Sequence, residues 1–273
     1  MNHFLKTIRN NFRPQQPTVA EYSNDIKYQE IFPDKRLQNF IYCYWELKTT
    51  QELSNPFEYR VVADGCIDIF FEVENPGQNF VMGFSKKCTD FSLGRSFHFR
   101  GIRFLPAIFP QLFNISAEEL SNRVEELSAV VPETSAFISK NLSANQPGET
   151  IKLLFDTYFT DLLARLDLEF DSRFYQALDI IIKDPASVKI TKDLHTGISR
   201  RQLQRLFKFY IGDSPKTFSQ VVRFQQILSA KRSLERLKKE KIFFDAGYYD
   251  QAHFIKEFKT FYGTTPGCVI GFE

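Results

Sequence analysis

Two stretches near the C-terminal end of the chain repeat one short pattern. Residues 205–215 are Arg-Leu-Phe-Lys-Phe-Tyr-Ile-Gly-Asp-Ser-Pro, and residues 256–266 are Lys-Glu-Phe-Lys-Thr-Phe-Tyr-Gly-Thr-Thr-Pro. Each copy has a cation, a phenylalanine and a lysine at the same spacing, and each closes on a Gly-x-x-Pro stop. An internal repeat is a stronger signal than either copy alone. The chain is therefore expected to contain two units of one helical design.

The first copy lies on a helix predicted from Ser199 to Tyr210. The preceding turn contains Gly197 and ends at Ser199, whose hydroxyl can accept a hydrogen bond from a free backbone N–H. A glycine-containing turn before a short basic helix is typical of the recognition half of a helix-turn-helix. For one such helix alone, a solvated charged face is the alternative. The apolar stripe is Leu203, Leu206, Phe207 and Tyr210, and the polar side carries Arg201, Gln204, Arg205 and Lys208.

The remainder of the chain changes from β-type to helical patterning. Residues 1–20 are predicted to be a poorly ordered lead-in. Short strands are expected between about 41 and 104, as in a small sandwich or barrel. Helices are expected over 107–113, 117–127 with Ser116 as its cap, 132–142 and 149–166. Further helices are expected over 172–183, near 190–195, and over 216–233, 234–244 and 251–262.

These patterns predict an α+β fold in two domains. Residues 1–168 would form a small β-sandwich or barrel-like (cupin-like) domain, β-rich to about residue 105 and helical after it. Residues 169–273 would form an all-α domain of two helix-turn-helix motifs bridged by the long helix 216–233. If the bridge separates the two recognition helices by about 34 Å, they would enter successive major-groove turns on one face of DNA.

The charge distribution agrees with a polyanionic partner for the second domain. Residues 169–273 hold 18 Lys+Arg against 12 Asp+Glu, whereas residues 1–168 hold 17 against 21. The two parts therefore carry net charges of +6 and −4. A basic C-terminal third is consistent with nucleic acid binding but does not require it.

The sequence offers no catalytic, metal or membrane motif. The four cysteines and four histidines are dispersed, so a disulfide framework or zinc site is unsupported and reduced thiols in a cytoplasm are expected. No apolar run approaches the roughly 20 residues that span a bilayer. The β domain has no Gly-x-Ser-x-Gly and no phosphate-binding glycine loop. Asp68 is predicted to be a structural hydrogen-bonding residue and His98 a plain surface residue, and no cofactor is expected.

The C-terminal region resembles the AraC/XylS family of transcription regulators. The resemblance rests on 199–208, on Gly-Tyr-Tyr-Asp-Gln-Ala-His-Phe-Ile-Lys-Glu-Phe-Lys at 247–259, and on Gly-Thr-Thr-Pro at 263–266. It covers about residues 170–270. More loosely, residues 61–130 look like a sensory domain that often precedes this module. The family resemblance implies a bipartite DNA-binding domain controlled by a small-molecule effector or by self-association.

Carried over by position, the resemblance also implies which residues meet DNA. Arg can bind guanine and Gln adenine in a bidentate manner, whereas Ala and Ile can at most touch a thymine methyl. The second motif is therefore expected to position the protein more than it specifies sequence. The first motif contributes Arg201, Gln204, Arg205 and Lys208, and the second Gln251, Ala252, Ile255, Lys256 and Lys259.

Two other function classes stay open from the sequence alone. One is a small β-barrel enzyme, and the other is a protein-interaction module whose β domain only dimerises. The aromatic residues of the β domain could line a ligand pocket, although an ordinary core is the favoured interpretation. The preferred hypothesis is a cytoplasmic, non-enzymatic DNA-binding regulator. Its expected partners are double-stranded DNA, an effector, RNA polymerase and a second copy of the chain.

Overall fold

A computed structural model of the protein describes residues 3–17, 25–185, 196–229 and 247–270. The helices expected near 190–195 and over 234–244, and the last four residues of the predicted bridge, lie outside the described residues. The remaining predicted elements can be compared with the structure directly.

An antiparallel six-stranded sheet forms the centre of the N-terminal part, with strand order β1-β2-β7-β4-β5-β8. Strands β3 and β6 pair with each other as a separate two-stranded ribbon. The strands predicted between 41 and 104 are confirmed, whereas β1 and β8 were not predicted. The strands are β1 (Ile26–Ile31), β2 (Ile41–Thr49), β3 (Glu58–Val61), β4 (Ile67–Glu72), β5 (Asn79–Met82), β6 (Thr89–Ser92), β7 (His98–Phe104) and β8 (Val124–Glu126).

Helices occupy the start of the chain and most of it after residue 107. The expected α+β organisation, a β-rich part followed by a helical part, is confirmed. Among the described residues the helices are α1 (His3–Asn11), α2 (Ile108–Phe113), α3 (Ala117–Leu120), α4 (Leu127–Val130), α5 (Pro132–Asn141), α6 (Gly148–Arg165), α7 (Ser172–Lys183), α8 (Arg200–Tyr210), α9 (Pro215–Ser229), α10 (Gln251–Tyr262) and α11 (Pro266–Ile270).

The six-stranded sheet is covered on both faces. Alternate residues of a strand point to opposite faces, and on β4 one set, which includes Phe71, is fully buried while the other, which includes Phe70, is half-buried. The Phe71 ring lies 6.2 Å from that of Phe155 on α6. On the opposite face the Phe70 ring lies 6.3 Å from that of Phe91 on the β3–β6 ribbon. The N-terminal part is therefore a layer of helices, a sheet and a ribbon.

The first residues are not the lead-in that the sequence predicted. Helix α1 buries Leu5 and Ile8, and Phe12 follows at 2% exposure. Helix α1 packs against α7, and the Gln15 amide donates to Oε1 of Gln225 on α9 at 2.6 Å. Apolar residues at positions 5, 8 and 12 lie on one helical face, so burial of that face offsets the polar composition of the segment.

The helix predicted over 117–127 is also wrong in the structure. Helix α3 ends at Leu120, and Asn122 adopts a left-handed φ of 58°. The Asn122 amide donates to the Phe84 carbonyl, and β8 then pairs with β5. Pairing with the sheet edge therefore overrides the local helical pattern. The Ser116 side chain makes no capping hydrogen bond.

Helix α9 contacts both copies of the repeated unit. The Phe207 ring of α8 lies 6.1 Å from that of Phe218, and the Phe258 ring of α10 lies 5.6 Å from that of Phe224. Phe218 and Phe224 belong to α9 and are fully buried. The predicted arrangement of two helical units joined by one helix is thus present in the described residues.

Candidate DNA-binding surface and interior cavity

Helix α8 has the cap and the two faces that its sequence predicts. The Ser199 hydroxyl accepts a hydrogen bond from the Gln202 amide at 3.2 Å. Leu203 and Phe207 are buried, while Leu206 and Tyr210 are half-buried beside them. The structure leaves all four predicted DNA-contacting side chains of this helix exposed to solvent: Arg201, Gln204, Arg205 and Lys208.

The N-terminal part holds the C-terminal end of α8. Nζ of Lys208 lies 2.5 Å from Oε1 of Glu118 on α3, and this ion pair raises the pKa of the lysine. The Ser121 hydroxyl donates to the Gly212 carbonyl at 2.5 Å. Gly212 has a φ of 105°, and a Cβ there would lie 2.3 Å from Oγ of Ser121. The approach therefore requires glycine, and Lys208 is engaged by a carboxylate of its own chain.

Helix α10 presents the second predicted set. The Asp250 carboxylate accepts a hydrogen bond from the His253 amide at 2.7 Å, which caps the helix. Phe254, Phe258 and Phe261 are buried on the opposite side. All five predicted side chains are exposed and lie on the solvent side of α10: Gln251, Ala252, Ile255, Lys256 and Lys259.

A buried ion pair that the sequence analysis missed fixes α10 on α9. Nη2 of Arg223 lies 2.8 Å from Oε1 of Glu257, and both side chains are almost fully buried. Nη1 of Arg223 donates to the Gly247 carbonyl at 3.1 Å, and the guanidinium lies 4.1 Å from the centre of the Tyr248 ring. The arginine therefore anchors the turn before α10 as well as the helix. A charged residue at a buried position of each helix was the available signal.

Tyr249 is a further candidate that sequence reasoning did not select. Its side chain is 86% exposed, although its neighbour Tyr248 is buried. Tyr249 lies immediately before Asp250, the cap of α10, on the side from which that helix begins. Tyrosine hydroxyls are among the groups that contact DNA phosphates, which makes this exposed side chain a candidate.

The β3–β6 ribbon holds the other end of α10 through two backbone hydrogen bonds. The Ala63 amide, just after β3, donates to the Phe261 carbonyl at 3.1 Å. The Cys88 amide, just before β6, donates to the Thr260 carbonyl at 3.0 Å. The same end of the ribbon therefore contacts the last turn of the second recognition helix.

An apolar cavity of about 310 Å³ lies between this ribbon and the six-stranded sheet. Its volume is at the lower end of the range for small-molecule sites. Of the aromatic residues weighed as core or pocket, three line it and the others, such as Phe71, are core. The lining residues are Trp45, Leu47, Tyr59, Val61, Asp68, Phe70, Phe80, Met82, Phe91, Leu93, Phe99, Arg103 and Val124.

The charged groups of the cavity wall are bound to one another. Nη2 of Arg103 lies 3.0 Å from Oδ2 of Asp68, which also accepts from the Trp45 indole at 2.9 Å. Asp64 and Glu30 lie 3.4 and 3.7 Å from the same guanidinium. Burial raises the pKa of Asp68 to about 6, against the opposing effect of Arg103. Asp68 is thus a structural hydrogen-bonding residue, as predicted.

His98 differs from its prediction as a plain surface residue. Its side chain is only 20% exposed, and Nε2 lies 2.8 Å from Oε1 of Glu46. Arg100 and Lys48 bind the same carboxylate at 2.6 and 3.0 Å. These hydrogen bonds, with that of His98 the strongest, hold the pKa of Glu46 well below its usual range. The group is a structural ion cluster on the sheet.

Metal-binding clusters and membrane-spanning helices are both absent from the described ranges of the chain. Within those ranges, no group of three or more His, Cys, Asp or Glu residues could hold a metal ion. Likewise, no helix of the described chain is long and apolar enough to cross a membrane.

Two family models match separate parts of the chain. Residues 29–126 match a domain of unknown function, DUF6597, and residues 194–270 match a helix-turn-helix domain. No curated protein matches at a significant level. The second match contains both copies of the repeated unit.

Solved structures of ToxT from Vibrio cholerae are similar over most of the chain. ToxT from strain O395 is 11% identical with a TM-score of 0.42, covering 91% of this chain and 98% of that one. A 1.65 Å structure of ToxT from Vibrio cholerae in the P21 form is 11% identical with a TM-score of 0.44, covering 91% of this chain and 98% of that one. ToxT from strain SCE256 bound to an unsaturated fatty acid is 11% identical with a TM-score of 0.42, covering 91% of this chain and 95% of that one. Values this low support no conclusion about ligand or mechanism.

The identity of the C-terminal region follows from its own residues and from the family model that matches them. Two capped basic helices, each ending in Gly-x-x-Pro, pack on one connecting helix within a region that matches a helix-turn-helix domain. The chain therefore carries a C-terminal helix-turn-helix domain, the module that the resemblance to AraC/XylS regulators implies.

Proposed function

We propose that α8 and α10 enter successive major grooves of one DNA site, and that an effector bound by the N-terminal part controls this step. The observation that carries the proposal is the common anchoring of the two helices. Each buries a phenylalanine against α9, Phe207 of α8 and Phe258 of α10, and leaves its polar side exposed. Two recognition helices fixed to one rigid helix can bind two sites only at a set spacing.

The two helices are assigned different tasks. Arg201, Gln204 and Arg205 of α8 would read base edges, because Arg pairs with guanine and Gln with adenine. Ala252 and Ile255 of α10 would at most contact thymine methyl groups. The remaining polar residues of both helices would position the protein on phosphates and adjacent bases: Lys208, Gln251, Lys256 and Lys259.

Control by an effector is supported by what the ribbon contacts. The β3–β6 ribbon forms one wall of the cavity and hydrogen-bonds the last turn of α10. A ligand that moves the ribbon would therefore change how α10 is held. The Lys208–Glu118 ion pair links the N-terminal part to α8 as well. An effector acts on this equilibrium only if it binds the two arrangements with different affinity.

The domain boundary and other partners are parts of the same proposal. We place the boundary between 168 and 169, in the extended segment between α6 and α7. A second copy of the chain and RNA polymerase are proposed as protein partners of the DNA-bound form. A cytoplasmic location and a non-enzymatic role belong to the same proposal, because the DNA partner would be met there.

Selection of bound sites from random duplex DNA tests the proposal. The full-length protein is compared with the double variant Arg201→Ala/Arg205→Ala. The expected result is a site with two blocks about one helical turn apart, one of which is lost in the variant. A matched control, Lys140→Ala on α5, removes a cation outside both helices and should leave the site unchanged. Absence of any enriched sequence would refute sequence-specific binding.

A separate experiment tests whether the Lys208–Glu118 ion pair restrains α8. Glu118→Gln removes the ion pair of Lys208 and should raise affinity for the selected site. Glu119→Gln, the adjacent exposed carboxylate, controls for the change in net charge. Equal effects of the two substitutions would show that the Lys208–Glu118 contact does not restrain DNA binding.

A further inference from the structure

The side chains that line the cavity are mostly apolar. Six aromatic side chains line it, together with four aliphatic residues and one methionine. Phe70 lies at the centre of the aromatic set, with the Trp45, Phe80, Phe91 and Phe99 rings within 6.5 Å. A cavity of this composition binds mainly by removing apolar surface from water.

The charged groups beside the cavity limit the kind of ligand that it can bind. One guanidinium, that of Arg103, faces three carboxylates within 4 Å, so this cluster holds more negative than positive charge. Nε and Nη2 of Arg103 already donate to Asp68, and the buried Nη1, which has no hydrogen-bond partner in the described part of the chain, lies beside Glu30. A ligand carboxylate would therefore approach like charges. Taking an ion out of water costs several kcal/mol unless a partner compensates it.

A cationic ligand meets a related difficulty. Oδ2 of Asp68 accepts from both Arg103 and the Trp45 indole, and Oδ1 also accepts from Arg103. Asp64 accepts from the Gln16 amide and the Cys66 backbone. The acidic oxygens that face the cavity region therefore already have donors, and a cation would have to displace one of them.

We propose that the cavity binds uncharged, largely apolar small molecules and discriminates against organic anions and cations of the same size. This inference rests on the proposed effector role of the cavity, whose ligand class it specifies. Its test measures binding alone, without DNA, so that it can fail while sequence-specific DNA binding stands.

The test uses a fluorescent probe and three matched competitors. N-Phenyl-1-naphthylamine, an uncharged probe that emits in apolar surroundings, is titrated into the full-length protein at pH 8. Decan-1-ol, below its solubility limit, and decanoate and decylammonium, below their micelle-forming concentrations, then compete with it. We expect decan-1-ol to displace the probe at a concentration at least tenfold lower than either ion. Equal or better displacement by either ion, or no binding of the probe, overturns the proposal.

Two substitutions locate the binding at this cavity. Val124, on the edge strand β8, is 37% exposed and lines the cavity, so Val124→Trp should fill it and weaken the probe at least tenfold. Leu153→Trp on α6, at a 66% exposed position outside the lining, is the matched control and should bind normally. Leu93→Phe is a second filling variant if Val124→Trp does not fold. Normal probe affinity in a folded filling variant contradicts the assignment.

Discussion

Removing the carboxylate of Glu257 tests how α10 is held on α9. The substitution Glu257→Gln keeps the shape of the side chain but leaves the charge of Arg223 without its partner. The two side chains are 6% and 11% exposed, so water cannot replace the lost interaction fully. Gln220 also donates to this carboxylate at 2.8 Å. The substitution therefore affects three helix positions at once.

The magnitude follows from what Arg223 retains. Breaking a buried ion pair by removing one partner costs about 3–5 kcal/mol. Arg223 keeps the Gly247 carbonyl and the face of the Tyr248 ring, so we expect the lower end, about 3 kcal/mol. The double substitution Arg223→Met/Glu257→Met leaves no buried charge at this site. It should cost less than the sum of the single substitutions by about 2 kcal/mol.

Denaturant unfolding followed by far-ultraviolet circular dichroism measures these free energies. Tryptophan fluorescence is unsuitable alone, because the single tryptophan, Trp45, lies in the sheet. A full double-mutant cycle of Arg223 and Glu257 isolates their coupling. A cost below about 1 kcal/mol for Glu257→Gln, or strict additivity in the cycle, would refute the reasoning that this pair is buried and charged.

Three further predictions address DNA reading, the cavity wall and acid stability. Arg205→Ala should lose about 1–3 kcal/mol of preference for its base pair, whereas Lys259→Ala should weaken binding to all DNA sequences alike and reduce the salt slope by about one. Binding is measured at several salt concentrations, and equal losses of affinity on all DNA sequences for both variants would contradict these roles. Gly101→Ala would place a Cβ 2.3 Å from the Trp45 ring, so it should destabilise by about 1–3 kcal/mol and shift tryptophan emission, while Gly77→Ala in a turn should do neither. Glu46 has a pKa lowered by His98, Lys48 and Arg100, so its stabilisation is present above about pH 4.5 and is lost as the pH falls. Glu46→Gln should therefore flatten the loss of stability on the acid side in unfolding curves, and an unchanged slope would exclude the cluster as its source.

Elements with strong local periodicity could be predicted from the sequence. Helix α10 has the predicted bounds, 251–262, because its apolar stripe and the following Gly263 are local signals. The same logic fails over 117–127, where pairing of β8 with β5 depends on residues about 40 positions away. Strand β1 and helix α1 carried usable patterns that were not recognised, the alternation of Ile26, Tyr28 and Glu30 among them.

The sequence predicts which residues of the candidate DNA-binding surface are exposed, but not which residues of the N-terminal part they contact. Periodicity alone places Arg201, Gln204 and Arg205 on the solvent side of α8, which the structure shows. The pairing of Lys208 with Glu118 joins residues 90 positions apart in two structural units, and no local pattern encodes it. The cavity likewise depends on which aromatic side chains face the ribbon, which requires the strand order.

The contacts of α1 mean that the N-terminal part is tethered at both of its ends. Residues 3–17 pack on α7 and α9, and the extended segment 166–171 joins the same helical unit from the other side. The helical unit is therefore discontinuous in sequence, and the chain between its two pieces forms a closed loop. Rotation about 166–171 alone cannot separate the two parts, because the Gln15–Gln225 contact must also break. A fragment cut at residue 169 would lose the helix that packs on α7, so a fragment that keeps the contacts of the helical unit includes the first residues of the chain.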